Sequence, residues 1–254
     1  MILLAGRDRW QIRDLESGKK KLQAALPSGE ISAVAINRQG SQFAVGLNNG
    51  TVRIRDATTG QLIHSWKRHP NAVTSFVFSR SGDTLSSGSL GNRIRMWDLR
   101  RGLPINDRDI GLPKVMAMDL SENDQYLAAV GSTNLVRVLK TRETKPEQAA
   151  FQSRRAWNGQ PVVAAKLLDQ GTRLAVLPSK STVELIDWAD DKSTVGVSAE
   201  VIVKHSSKAS ISHDARFSVV VDGDRNVRVF ERGTTPATQA WQIPGGAESV
   251  ECAP

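Results

Sequence analysis

The chain has 254 residues, 39% of them apolar, with 34 basic against 26 acidic side chains and a net charge of +8. No apolar run approaches the ~18 residues a membrane helix needs, and the opening MILLAG is too short for a signal-peptide core and lacks a charged segment before it. One cysteine, Cys252, excludes an internal disulfide framework and fits a reducing compartment, so the expectation is a soluble cytoplasmic protein whose positive balance favours acidic partners.

In chain order, one strand signature keeps returning. WQIRDLESG (10–18) recurs as VRIRDATTG (52–60) and as IRMWDLRRG (94–102), with Asp14, Asp56 and Asp98 each 42 residues apart. It continues as VRVLKT (136–141), VELIDW (183–188) and VRVFER (227–232). Units repeating at this period cannot bury their apolar faces alone and must stack on their neighbours. The expectation is therefore a single domain over 1–254. Each unit resolves into four short strands. In the third, VTSFVFS (73–79) is followed by turn residues, TLSSGS (84–89), a turn at Gly91–Asn92, IRMWDL (94–99), and a more polar strand around 105–110. Short strands at 8–12-residue spacing, separated by Gly, Asn, Asp and Ser, indicate an all-β fold. YLAAV (126–130), RLAV (173–176) and FSVVV (217–221) are unbroken apolar runs, expected where both faces of a strand are covered.

Residues 31–110 resemble two units of the WD-repeat family. Arg68-His69 stands in the place of the family's Gly-His, Ser81-Gly82 follows the first strand, and Trp97-Asp98 closes the third. The likeness extends along the chain and is strongest over 28–102. It implies a β-propeller of four-stranded blades around a central channel. It also implies a buried network joining an Asp before the third strand, the His, a second-strand Ser or Thr, and the Trp. The third repeat has His69, Ser87 and Trp97, but Gly91 takes the Asp position; the second has Asn49 and Arg55, and the sixth Asp224 and Phe230. With no repeat complete, stability is expected to rest more on apolar packing between blades. The chain opens on a second strand (ILLAG, 2–6) and ends on a first strand (SVECAP, 249–254). Pairing of the two would close six blades and remove exposed edges; the alternative is a fragment of a larger propeller or multidomain protein.

Catalytic constellations are not evident. No histidine pair among His64, His69, His205 and His213 comes with cysteine partners at zinc-site spacing. There is no G-x-S-x-G elbow, P-loop or G-x-G-x-x-G. Asp187, Asp190 and Asp191 lack the alternation of a calcium loop and read as a solvated turn. ATTGQLIHSW (57–66) resembles the repeat of quinone-dependent propeller dehydrogenases, but only once. The expectation is no enzyme, no cofactor, no metal and no small-molecule substrate.

Charge is distributed unevenly. In a propeller the loops from strand two to three and from strand four to the next strand one share a face. Here they carry Arg7, Arg9, Lys67, Arg68, Arg93, Lys114, Arg154, Arg155, Lys180, Lys208 and Arg225, with Lys204 at one margin. Asp8, Glu30, Asp222, Asp224 and Glu248 oppose them, for a net of about +7 against about −1 on the opposite face. Trp157, in RRAW (154–157), is the one aromatic placed to join that face. The arginines alternating in third strands (Arg53, Arg55, Arg95, Arg137, Arg228) read as structural, their stems covering blade surface. The expected function is a scaffold or sensor within a larger assembly, binding an acidic protein or peptide through this basic face. Nucleic acid is the second candidate partner for the same residues.

Overall fold

The computed structural model describes residues 2–14, 19–26, 29–133, 135–141, 151–152, 162–178, 183–188, 192–197, 208–211, 217–221, 227–231 and 239–241. The first sheet comprises Ile2–Ala5 (β1), Arg9–Arg13 (β2) and Lys20–Ala25 (β3). The second has Ile31–Ile36 (β4), Gln42–Leu47 (β5), Thr51–Asp56 (β6) and Leu62–Lys67 (β7). The third has Val73–Phe78 (β8), Thr84–Ser89 (β9), Arg93–Asp98 (β10) and Leu103–Asp109 (β11). The fourth has Val115–Leu120 (β12), Tyr126–Gly131 (β13), Val136–Lys140 (β14) and Phe151–Gln152 (β15). The fifth has Val162–Leu168 (β16), Arg173–Pro178 (β17), Val183–Asp187 (β18) and Lys192–Val197 (β19). Lys208–Ile211 (β20), Phe217–Val221 (β21), Val227–Glu231 (β22) and Gln239–Trp241 (β23) form the sixth.

Every sheet is an antiparallel meander whose strands lie side by side in chain order. The repeated segment is the third strand of the second to sixth sheets; in the first sheet it is β2, the middle of the three described strands. The first strand expected for that sheet from 249–254 lies outside the described residues. The first strands form a spine: β4 packs on β8, β8 on β12, β12 on β16, and β16 on β20. This is the β-propeller arrangement that the repeat implied.

The core described is layered, one apolar slab between each pair of neighbouring sheets from the first to the fifth. Trp10, Ile12, Phe43 and Leu47 fill the first slab; Ile54, Phe76, Leu85 and Trp97 the second. Ile94, Leu112, Leu127 and Leu139 fill the third, and Val130, Val138, Leu167 and Leu174 the fourth. Second strands are buried almost end to end, which explains their unbroken apolar runs. Two notches set the spacing between slabs. A Cβ on Gly46 would come within 2.7 Å of Val73, and one on Gly88 within 2.7 Å of Val115. The missing side chains let each following sheet approach.

The first strands of the second to fifth sheets each carry a bulge at the second residue, whereas β20 pairs in unbroken register. The ladder register skips Ser32, Thr74, Met116 and Val163, each set between residues that keep their cross-strand partners. Bulges re-aim side chains and bend the strand, here at the end of the spine nearest the loops that carry the candidate site.

Candidate functional site

The loops from second to third strands and from fourth to next first strands are stitched together through the backbone. The N–H of Ile31 donates to the Arg7 carbonyl (2.7 Å) and that of Asn48 to the Glu30 carbonyl (2.9 Å). Leu90 donates to Ala72 (2.9 Å), Val115 to Gly91 (3.3 Å) and Ser132 to Pro113 (3.0 Å). Gly50, at φ 81°, packs so closely that a Cβ would lie 1.9 Å from the His69 carbonyl oxygen, a position only glycine can take. From Arg7 to Ser132 these loops form one continuous face.

The candidate cations on it differ in their surroundings. Arg7 is paired with Glu30, which also accepts from Asn48 (2.8 Å). Arg9 binds Asp8 at 3.1 Å, and its hydrogen bond holds the Asp8 carboxyl below the usual range. Arg93 binds Asp107 at 2.6 Å. Burial pushes the Asp107 carboxyl up, but hydrogen bonds and charge from Arg93 and Arg95 outweigh it and hold the group below its ordinary value. Lys67, Arg68 and Lys114, by contrast, are exposed and form no ion pair among the described residues. Arg154, Arg155, Trp157, Lys180 and Arg225 lie outside the described residues, as does the side chain of Lys208.

On the opposite face four arginines are matched by carboxylates, while the exposed Lys20 reaches, among the described residues, only the Gln23 amide oxygen, at 2.9 Å. Arg38 and Arg80 share Glu122 (3.6 and 3.0 Å), Arg100 binds Asp83 (2.7 Å), and Arg101 faces Asp98 (3.8 Å). The Asp124 carboxylate accepts the backbone N–H of Arg80 at 3.0 Å, while its burial raises the carboxyl above its ordinary value. Among the described residues no group of three or more His, Cys, Asp or Glu is placed to hold a metal ion, and no helix is long and apolar enough to cross a membrane.

Beneath the loop face, Arg95 joins the expected His69, Ser87 and Trp97 in one polar network. His69 Nε2 meets Ser87 Oγ at 2.7 Å, and Trp97 Nε1–H donates to the same oxygen at 2.9 Å. Arg95 Nη1–H donates to His69 Nδ1 (3.1 Å), and its Nη2–H to Asp107 (2.9 Å). An arginine at Nδ1 requires that nitrogen to accept, so Nε2 carries the proton and donates to Ser87. Ser87 in turn donates toward the Arg95 carbonyl at 3.5 Å. Burial, then the Arg95 charge, lowers the His69 pKa to about 4, against the opposing pull of Asp107. Arg95 thus takes over the anchoring position left by Gly91. Arg137, 42 residues later, donates to the Ile110 carbonyl, in the space left by Gly111 where the previous unit has its histidine. His64 is likewise structural: it binds the Leu99 carbonyl (2.8 Å) and stacks on Trp66, which stacks on Trp97 at 4.6 Å.

Comparison with known proteins places these features in context. The family model described as "WD domain, G-beta repeat" matches residues 60–98. Protein ROOT INITIATION DEFECTIVE 3 of Arabidopsis thaliana is 36% identical over 77 residues, 30% of this chain and 18% of the relative. U3 small nucleolar RNA-associated protein 21 of Saccharomyces cerevisiae is 35% identical over 85 residues, 34% of this chain and 8% of the relative. Transducin-like enhancer protein 2 of Mus musculus is 24% identical over 224 residues, 87% of this chain but 28% of the relative. The chain spans under a third of the length of these curated relatives. Among solved structures, the β-propeller domain of Cps50 (Swd1) from Myceliophteria thermophila superposes with a TM-score of 0.67 at 22% identity, covering 86% of this chain and 74% of that one. At that identity the likeness speaks to fold alone.

Proposed function

We propose that this β-propeller, whose residues 60–98 match the WD-repeat model, is a non-catalytic scaffold that binds an acidic protein surface or peptide through its stitched loop face, as one part of a larger assembly. The carrying observation is the contrast between faces. Four arginines opposite the loop face (Arg38, Arg80, Arg100 and Arg101) are matched by carboxylates, whereas Lys67, Arg68 and Lys114 are exposed on the loop face without an ion-pair partner among the described residues. Exposed, uncompensated charge speeds encounter with an oppositely charged partner and discriminates against like-charged ones. The stitched backbone supports the same reading, because a preorganised surface loses little entropy on binding.

The test is capture of partners from native extract by the wild-type chain and by a Lys67→Glu, Arg68→Glu, Lys114→Glu variant, with and without nuclease. A protein partner that survives nuclease and is lost in the variant upholds the reading. Recovery of nuclease-sensitive material alone, with affinity falling linearly in log salt, moves the assignment to nucleic acid. Equal capture by both chains removes the loop face from consideration.

A further inference from the structure

The loop face carries apolar surface beside its free charge, and both have local causes. Met116 is the bulge residue of β12: Val115 pairs with Gly131 and Ala117 with Val130, so the ladder register skips Met116, which is 40% exposed. Leu90, also 40% exposed, sits in the turn between β9 and β10. The turn is pinned on both sides, by Leu90 N–H to the Ala72 carbonyl and by Val115 N–H to the Gly91 carbonyl. Leu90 and Met116 are therefore held on adjoining backbone segments. Lys114 directly precedes Val115, whose N–H bonds the Gly91 carbonyl, and adopts φ 55°, a left-handed conformation disfavoured for a side chain of this kind. Arg68 opens the loop that ends at Ala72. Two large aliphatic side chains thus stand exposed on pinned backbone, beside two cations that form no ion pair among the described residues.

We infer that this sector binds an acidic peptide segment carrying one large aliphatic residue, whose side chain covers Leu90 and Met116 while flanking carboxylates face Arg68 and Lys114. This rests on the acidic-partner reading above and sharpens it to a subsite and a side-chain class. Charge complementarity selects the occupant: bare apolar surface beside exposed cations favours neither a basic nor a purely apolar segment. The other exposed aliphatics lack this setting. Leu62 and Ile63 on β7, and Leu103 and Ile105 on β11, lie on outer strands, and the neighbouring Arg100 and Arg101 already face carboxylates.

A random dodecapeptide display library panned on the wild-type chain, followed by titration of labelled synthetic copies of the enriched peptides, tests this. Enriched sequences should be net negative and carry a Leu, Ile or Met between acidic residues. Replacing that aliphatic residue by Ser in the peptide should weaken binding about tenfold or more. A Leu90→Ser, Met116→Ser chain should lose as much, and a Leu62→Ser, Leu103→Ser chain nothing. The peptide-side substitution keeps the test decisive even where a protein variant folds poorly. Acidic peptides with no aliphatic requirement would overturn the subsite and leave the acidic-partner reading standing. Absence of acidic enrichment would overturn both.

Discussion

The third and fourth sheets solve one packing problem in two ways. At positions 42 residues apart, His69 gives way to Gly111, Ser87 to Ala129 and Trp97 to Leu139, while Arg95 and Arg137 stay the same. Ser87 and Ala129 are both wholly buried, each opposite its arginine across the ladder. In the third sheet the arginine reaches the loop through an imidazole; in the fourth it reaches the loop carbonyl itself. The constant element is thus the arginine, and the His–Ser–Trp chain is one filling of the space beneath it. Buried polar chains are costly when broken and roughly neutral when replaced whole by apolar groups, which explains how both versions coexist in one molecule.

The sharpest way to break the comparison is to empty the third sheet. Trp97→Ala should cost about 3–5 kcal/mol in urea unfolding, more than Leu139→Ala, because it also removes the stack on Trp66 and one donor to Ser87. Next is acid. Below the unfolded value of 6.5 the unfolded chain takes up a proton that His69 refuses in the fold until about pH 4. Stability due to this group is complete above pH 6.5 and falls as pH drops to about 4, by about 3 kcal/mol in all. The difference in unfolding free energy between wild type and His69→Gln, followed across that window, should shrink accordingly; a constant difference would refute the neutral, Nε2–H form. Ser87→Ala leaves the N–H groups of His69 and Trp97 without their acceptor and should cost about 1–3 kcal/mol. Arg137→Ala should cost least, about 1 kcal/mol, and should show as faster hydrogen exchange of the amides at 110–112.

Strands were legible because turn residues and apolar runs punctuate them at short intervals: 84–89 and 217–221 were read with the ends that the structure gives, and the fourth strand of the third repeat starts at Leu103 rather than near 105. The loop face was legible as a set of positions, since the order of strands dictates which loops meet. What surrounds each cation was not. Arg7 finds Glu30 and Arg95 finds His69 across 23 and 26 residues, separations that depend on where a loop returns, not on any local pattern. Met116 escaped for another reason. VMAMDL (115–120) reads as a regular inner strand, and only the bulge after Val115 shifts its phase and turns the side chain out.

The notches at Gly46 and Gly88 bear on how far these units can be rearranged. Each accepts a valine from the next unit, Val73 or Val115, so the second and third sheets present the same socket to the same plug. The fourth has Val130 at the corresponding place, wholly buried in the slab it shares with Val162. A duplicated third unit would present its own Val73 to Gly88, the plug that Val115 supplies there, whereas a duplicated second unit would bring Ile31, one methylene larger, to Gly46. The fourth, moved there, would bring a side chain where Val73 or Val115 needs a gap, an overpacking of about 1–3 kcal/mol. The repeats are alike in outline yet keyed to their neighbours, so unit order is written into the molecule as firmly as unit shape.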